Sequence, residues 1–594
     1  MSQEIKEAME KQIYPFMKEL FWRIAKEKDT FHMDGVWVYN EKAQFVGGKA
    51  IHLCSYVVTE LLNGVEKEEG IHALKAIISM CANLPMQTWG IFNALKGLYR
   101  LEQKGLRDVV MKHEVWEKLR DVLDWRTFVD IKNNLALKGY PTNYYGVAFG
   151  IARYRELLGW ENGEYAKKLL ERLMEHIDAY SGEYEFMDET PGDGRFDRYS
   201  ILVPAEIANT VLDTGMDLPD KIVSMLKKST AICLFMANRD GFGFSYGRST
   251  GAYGDTGVLE VLTAAHRVNT IMDEEEKRLA YAYCVAIIHR FGSFWIDQDM
   301  QSVNMWEKGR KTDDYRNKNR ILSENLSLCM QLIEADEWKS PCNGEGEMEQ
   351  IWQKRENQPL LGLMVPFAKG EDERALVIVQ DGRRIWTLPF ISGGREYFEK
   401  SPYLPIPYSQ FAITGVPGET YPYMIPQVVL ENGTKLMPIV YFKNLQIQQE
   451  QNQLIVTGKQ NALCVVGEGE MHPYKDISCE FVYTFGNGKV ERRDTFYVER
   501  GERIQKIEMD FLTFSEERSK KAGGVEFFKG VINHMKQNGY DHQFVEKIND
   551  QEKYHTPEGR LLTHVHWVKE TDLSSKVIVS WQITYGKEGN MGRI

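Results

Sequence analysis

One pattern in the first half of this chain restricts its fold more than any other. Six stretches, residues 56–62, 92–101, 149–158, 204–212, 258–266 and 326–333, alternate small residues and aliphatics at helical spacing. They recur at intervals of about 40 to 65 residues, with a partner helix between successive members. Helical hairpins repeated at that length bury their apolar faces by stacking into a solenoid or by closing into a ring. Six of them fit an (α/α)6 toroid, in which inner helices surround a funnel and the loops at one end form a cleft.

The periodicity changes after residue 360. Residues 375–379, 436–442, 453–457, 479–485, 490–498, 504–511 and 576–583 alternate β-branched and aromatic positions with polar ones, and Asp381-Gly382, Asn432-Gly433 and Asn487-Gly488 punctuate them as hairpin turns. The expected class is α+β multidomain: a toroid over 1–340, a charged linker over 341–358 carrying Pro341, Gly344 and Gly346, and an antiparallel β-sandwich over 359–594 that lends loops to the cleft. Residues 393–423, rich in Pro and Tyr, are too long for a hairpin and are expected to lie over the ring's mouth.

Composition removes several function classes. With 594 residues the chain needs no disulfide or metal staple, and a net charge of -12 without a Lys/Arg block argues against nucleic acid. The eight cysteines stand singly, as buried thiols of a reducing compartment do. Residues 1–23 carry no secretory pattern, and no apolar run approaches the roughly 20 residues of a membrane helix. The reading is therefore a cytoplasmic protein with no membrane partner, compatible with a homo-oligomer. The aromatic share of 12% suits stacking surfaces or a large core.

Four polar clusters precede repeat helices. Pro141-Thr142-Asn143-Tyr144-Tyr145-Gly146 sets a short polar-aromatic loop beside unpaired helix amides, suited to an anion or a sugar, or else Asn143 is simply a cap. Asp193-Gly194-Arg195-Phe196-Asp197-Arg198-Tyr199 gathers carboxylates, cations and a phenol, as a salt-bridged surface turn also would. Residues 240–255 run Asp-Gly-Phe-Gly-Phe-Ser-Tyr-Gly-Arg-Ser-Thr-Gly-Ala-Tyr-Gly-Asp, whose glycines allow a close approach of backbone to ligand. The G-x-S-x-G match at Gly247 to Gly251 lacks the preceding strand of a nucleophile elbow. The fourth cluster, residues 306–316, offers Arg310 and Arg316 to the same ring face or is a solvated loop. There is no zincin, P-loop or dinucleotide motif, and no cofactor or metal is expected.

The third cluster resembles the catalytic segment of toroid polysaccharide lyases of the hyaluronate and chondroitin AC type, related to heparinase II/III-like enzymes, with a D-G-S-[YF] motif followed by T-G-A-Y-G. Asp240-Gly241 and Thr250-Gly251-Ala252-Tyr253-Gly254 are its counterparts here, and the resemblance implies a catalytic Tyr253. The histidine found between those motifs has no counterpart; Tyr246 and Arg248 stand nearby instead. Together with Asn143-Tyr144 and Phe196-Asp197-Arg198-Tyr199, the stretch also resembles a long-uncharacterised two-domain toroid family associated with β-glucuronidase activity. Gly247-Arg248-Ser249 is kept, whereas Tyr144 and Arg198 replace that family's tryptophan and a tyrosine.

Both resemblances imply a uronic-acid-containing oligosaccharide as partner, with different chemistry. A lyase removes the C5 proton beside the uronate and expels the O4 group. Tyr253 would serve as base or acid, Tyr246 or Tyr199 would share the proton, and Asn143 with Arg198 or Arg248 would bind the carboxylate. A tyrosine base needs its pKa of about 10 lowered by cations such as Arg198, Arg248 or Arg310. A hydrolase needs two carboxyl groups about 6.5–9.5 Å or about 5–5.5 Å apart, with Asp193, Asp197, Asp240 and Asp255 as candidates. Arg248 would then hold the substrate carboxylate and the tyrosines, Tyr144 among them, would shape the pocket; His472 is the sandwich's candidate to reach the cleft. A lyase is the leading reading and a β-glucuronidase-type hydrolase the alternative; a sugar epimerase and a non-catalytic glycan-binding protein stay open.

Overall fold

The computed structural model describes residues 4–299, 301–303, 318–342, 344–368, 370–399, 403–409, 424–467, 469–499, 501–513, 515–521, 523–527, 532–550, 555–556 and 559–585. Up to residue 342 these are chiefly helical, and from Leu361 onward chiefly antiparallel strands.

Six helices carry the recurring apolar pattern: α1 (Val46–Tyr56), α2 (Thr88–Gln103), α3 (Tyr144–Leu157), α4 (Arg198–Asp213), α5 (Ala252–His266) and α6 (Ile321–Ile333). Each touches the next, and α6 returns to α1. They are buried nearly all round, as helices covered on both sides must be. A second set lies outside them: Gly64–Cys81 against α1, Glu164–Tyr180 against α3, Asp220–Phe235 against α4, and Glu274–Arg290 against α5. The outer helices have the ordinary one-sided stripe; in Glu164–Tyr180 only Ala166, Leu169, Leu173 and Ile177 are buried. Local chemistry fixes where some helices start. Asp273 and Glu276 form a capping box at Glu274–Arg290, and the Asp197 carboxylate caps α4 by accepting from the Tyr199 amide at 2.9 Å.

Residues 345–356, expected within a linker, form the helix Glu345–Glu356. Its charged composition is that of a solvated helix face. Arg239 pairs with Glu349 at 3.2 Å and Glu356 at 2.6 Å, while Arg355 donates to the carbonyls of Phe235 and Ala237.

Strands β1 (Leu361–Ala368), β2 (Arg374–Asp381) and β3 (Arg384–Phe390) form a three-stranded sheet. Among the described residues, two larger antiparallel sheets of eight and seven strands follow. Hairpin turns sit where the sequence marks them; Asn487 and Gly488 take φ of 54° and 69° between paired Gly486 and Lys489, as a two-residue type I′ loop requires. Along Ile477–Gly486 the residues Ile477, Cys479, Phe481, Tyr483 and Phe485 are buried, so the period-two pattern turns one face to the core. The stretch 436–442 is not one strand: Lys435–Met437 pairs in the seven-stranded sheet, and Phe442–Gln449 opens the eight-stranded one.

The three-stranded sheet abuts the helical half. Phe367 of β1 stacks on Phe196 with ring centres 5.3 Å apart, Ser245 Oγ lies 2.9 Å from Thr387 Oγ1 of β3, and Ser392 donates its amide to the Gly194 carbonyl at 3.0 Å.

Candidate active site at the helix N-termini

The first turns of all six inner helices open onto one cavity of about 210 Å3. Phe45 and Lys49 come from the start of α1, Trp89 and Phe92 from α2, Asn143 and Tyr144 from α3, Arg198 and Tyr199 from α4, Tyr253 from α5, and Arg320 and Glu324 from α6. Helix N-termini carry unpaired amides and the positive end of the macrodipole, so six aimed at one volume favour a negatively charged ligand.

Asn143 precedes α3, yet its side chain makes no cap; it is buried, and its Oδ1 has no hydrogen-bond partner among the described residues. A buried amide oxygen left open beside a cavity is a group placed for something that enters it. Tyr144 packs edge-on to Trp89 at 6.4 Å, with its hydroxyl pKa pushed up by burial against the opposing charge of Arg248. Tyr199 has the Arg198 guanidinium 4.5 Å and the Arg248 guanidinium 4.4 Å from its ring centre, and its hydroxyl lies 3.3 Å from Ser249 Oγ. Arg198 is buried and donates to the Tyr253 carbonyl at 3.0 Å, with no carboxylate at ion-pair distance among the described residues. Tyr253 donates from its hydroxyl to the buried carboxylate of Glu324, whose other oxygen is 3.0 Å from Arg320.

Other residues singled out from the sequence stand behind this surface. Asp197 is fully buried and does not line the cavity; it caps α4 and receives Arg248 Nε and the Tyr403 hydroxyl, each at 3.3 Å. Burial lifts its pKa, and the neighbouring Arg195 opposes that. Tyr246 is sealed in the interior, its hydroxyl held well above the usual range by burial and by Asp197. Asp240 is bound by Arg383 through both oxygens, which joins the helical half to the β2–β3 turn. Asp255 accepts from the Gly243 amide, Trp295 and Arg290 at 2.8 to 3.0 Å. Asp193 lies 3.9 Å from Arg395, and neither it nor Asp255 lines the cavity. His472 is exposed on the edge strand beside Glu470 at 3.7 Å. Arg310 and Arg316 lie outside the described residues.

The glycines of residues 240–255 serve packing. A Cβ at Gly243 would stand 2.0 Å from the Gly254 carbonyl oxygen, and one at Gly247 would meet the Asp197 side chain at 2.5 Å. They press the loop against α5 and Asp197, and its side chains, Arg248 foremost, reach the cavity. Ser249 is buried at φ 60° with no strand before it, so it is no nucleophile elbow.

Among the described residues the cavity lining comes from the helical half alone. The segment 393–423 meets the site one layer back, with the Tyr403 hydroxyl on Asp197 and the Tyr397 ring 5.7 Å from the Arg195 guanidinium; residues 400–402 and 410–423 lie outside the described residues.

Further along the inner helices, charges that the sequence reading passed over also line the cavity: His52, Lys96, Glu206, Glu260 and, at the C-terminal end of α6, Glu334. Lys96 pairs with Glu334 at 3.2 Å, and Gln331 donates to Glu260 at 3.1 Å. Burial, and then Glu334, raise the Glu260 pKa from 4.5 to about 7 against the cations Arg198 and Lys96; Glu206 is lifted well above its usual range by burial and by Glu260. His52 is held neutral by burial and by the cations Lys96 and Arg100. The signal for these groups was a lone charge inside an apolar helix, as in Leu259-Glu260-Val261 or Leu95-Lys96-Gly97.

No family model and no curated protein matches the chain. Among solved structures it is similar to a mutant of heparan sulfate lyase HepC from Pedobacter heparinus (10% identity, TM-score 0.32, 96% of this chain and 83% of that one), and to heparinase III (11%, 0.34, 98% and 91%). It is also similar to a possible GH105 family member from Salmonella enterica serovar Paratyphi A (11% identity, TM-score 0.35, 55% and 95%).

Proposed function

We propose that the chain is a carbohydrate-active enzyme built as an (α/α)6 toroid with a C-terminal β-sandwich, cleaving uronic-acid-containing oligosaccharides by β-elimination. The observation that carries this reading is the Tyr253–Glu324 pair, set in one cavity with Asn143, Tyr199 and Arg198.

Arg198 and the Asn143 Nδ2 donate to the uronate carboxylate, and the open Asn143 Oδ1 accepts from a sugar hydroxyl. Their positive field, with the six helix N-termini, stabilises the charge that builds on that group as the C5–H bond breaks. Tyr253 oxygen takes the C5 proton while its own proton moves to Glu324. The C4–O bond breaks, the C4–C5 double bond forms, and the proton returns to the departing oxygen through the same pair. Glu324 thereby replaces the missing histidine as base. The relay also removes the need for a free phenolate, which a carboxylate neighbour would oppose. A volume of about 210 Å3 lies below the roughly 300–1,000 Å3 of sites that enclose drug-sized ligands, which favours one sugar ring held at a chain end.

A second reading rests on Glu260. A carboxyl group with a pKa of about 7 suits the general acid of a hydrolase. The four aspartates first considered for that role are instead held by structural partners or stand away from the cavity. A glucuronate-containing oligosaccharide separates the two. Elimination gives an unsaturated product that absorbs in the ultraviolet, hydrolysis gives free uronate with no such absorbance, and release of neither would leave only a glycan-binding role.

A further inference from the structure

The seven-stranded sheet brings together three side chains that the ring cavity does not use. Asp510 on the strand Ile504–Thr513 stands directly across from His566 on the strand Thr563–Lys569, and His564 projects from that strand two residues earlier on the same face. His564 Nε2 is 2.6 Å and His566 Nδ1 2.9 Å from the same oxygen, Asp510 Oδ1, and all three donor atoms lie within 4.8 Å of one another. Asp510 is buried and the two imidazoles are partly exposed, so the donors meet at the bottom of a shallow opening to solvent.

From this geometry we infer that Asp510, His564 and His566 bind a divalent transition metal of Zn2+ type. Two imidazoles and a carboxylate are a donor set such ions prefer over calcium or magnesium, which take oxygen shells. Metal–ligand bonds of about 2.0–2.1 Å around a tetrahedral ion place donor atoms roughly 3.3 Å apart. The two His–Asp spacings of 2.6 and 2.9 Å reach that value by opening about 0.7 and about 0.4 Å, which side-chain rotation supplies with no change of register. Three protein donors leave a fourth position facing solvent, open to water or an external ligand. On the neighbouring strand Phe544 stands across from His566, its ring 5.9 Å away, and walls one side; Glu546 stands across from His564 on the same face. His-x-His on one strand with an Asp on its neighbour has no linear motif, which is why the sequence reading expected no metal.

The test uses the full chain, stripped with a chelator and titrated with Zn2+ by calorimetry and with Co2+ by visible absorption. The expected result is one Zn2+ per chain at micromolar affinity or tighter, and a Co2+ spectrum with the intense bands of a low-coordinate site. His564→Gln and His566→Gln should each weaken Zn2+ binding at least 10-fold, and Asp510→Asn should do so while keeping hydrogen bonds to the ring nitrogens. Metal-free variants should melt within a few degrees of the metal-free parent. Should a variant fail to fold, the Co2+ spectrum of the unmodified chain still decides. Absence of stoichiometric binding, a purely octahedral Co2+ spectrum, or binding unchanged in folded variants would overturn the assignment.

Discussion

The Tyr253 hydroxyl donates to the Glu324 carboxylate across the boundary between α5 and α6, tying a phenol to a buried acid 71 residues further along the chain. If the pair moves the proton, Tyr253→Phe removes the transferring oxygen and leaves the ring's packing intact. The expected outcome is a fall in kcat of about 100- to 10,000-fold with KM changed little. Glu324→Gln should lower kcat similarly. Steady-state kinetics of both variants, with circular dichroism to confirm folding, check this; a Tyr253→Phe enzyme as active as the parent would sink the elimination mechanism.

Arg248 holds two buried acids, Glu189 and Asp197, and lies against Tyr199. Arg248→Met would take the cation from the buried Glu189 carboxylate and leave Asp197 its Tyr199 amide and Tyr403 hydroxyl. The expected loss of stability is about 3–5 kcal/mol at pH 7 in urea unfolding. The loss should shrink as pH falls, because burial raises the Asp197 pKa and a protonated carboxyl group needs no cation. If the variant is as stable as the parent, Arg248 is an exposed ligand-binding cation and not part of the scaffold.

How much of this was legible in the sequence follows from what kind of signal each feature leaves. Spacing locates α2 and α5, because Phe92, Leu95 and Leu98 or Val258, Val261 and Leu262 must share a face whatever surrounds them. Asn143, Arg198, Tyr199 and Tyr253 were found because they stand in polar runs at helix starts, and the structure brings these four together. Asp240, Asp197 and Tyr246 share those runs and point elsewhere. Chemistry-bearing residue types near a site do not reveal which of them face it; that depends on Gly243 and Gly247 pressing the loop inward, a tertiary contact. Glu324, in turn, stands in the short polar run Ser323-Glu324-Asn325 of α6, and its contact with Tyr253, distant in sequence, gives it a role in the cavity.

Asp240 gives the contrasting case. Its two oxygens are spent on Arg383, at the junction of the helical half and the β2–β3 turn. Asp240→Ala is expected to destabilise by about 1.5–3 kcal/mol, the range for charge-assisted hydrogen bonds. Activity per folded molecule should match the parent. A fall in kcat at unchanged stability would return this carboxylate to the list of catalytic groups.

Glu260 is where pH separates the two chemistries. Its pKa is raised from 4.5 to about 7 by burial and by Glu334, so between those values the folded chain holds a proton that the unfolded chain has released. Stability must therefore fall as pH rises from about 4.5 to about 7 by the share this group contributes. Glu260→Gln, neutral at every pH, should remove that slope, and the gain should be larger at pH 7.5 than at pH 4.5 in paired unfolding curves. On activity the predictions divide. For β-elimination by Tyr253 and Glu324 the variant keeps most of its kcat, because Glu260 only lines the cavity. For hydrolysis with Glu260 as general acid, kcat drops about 100-fold or more and the alkaline limb near pH 7 disappears. A parent enzyme that releases free uronate without an ultraviolet-absorbing product, together with loss of activity in Glu260→Gln, decides for hydrolysis, since proton donation to the glycosidic oxygen would then be the step that fails.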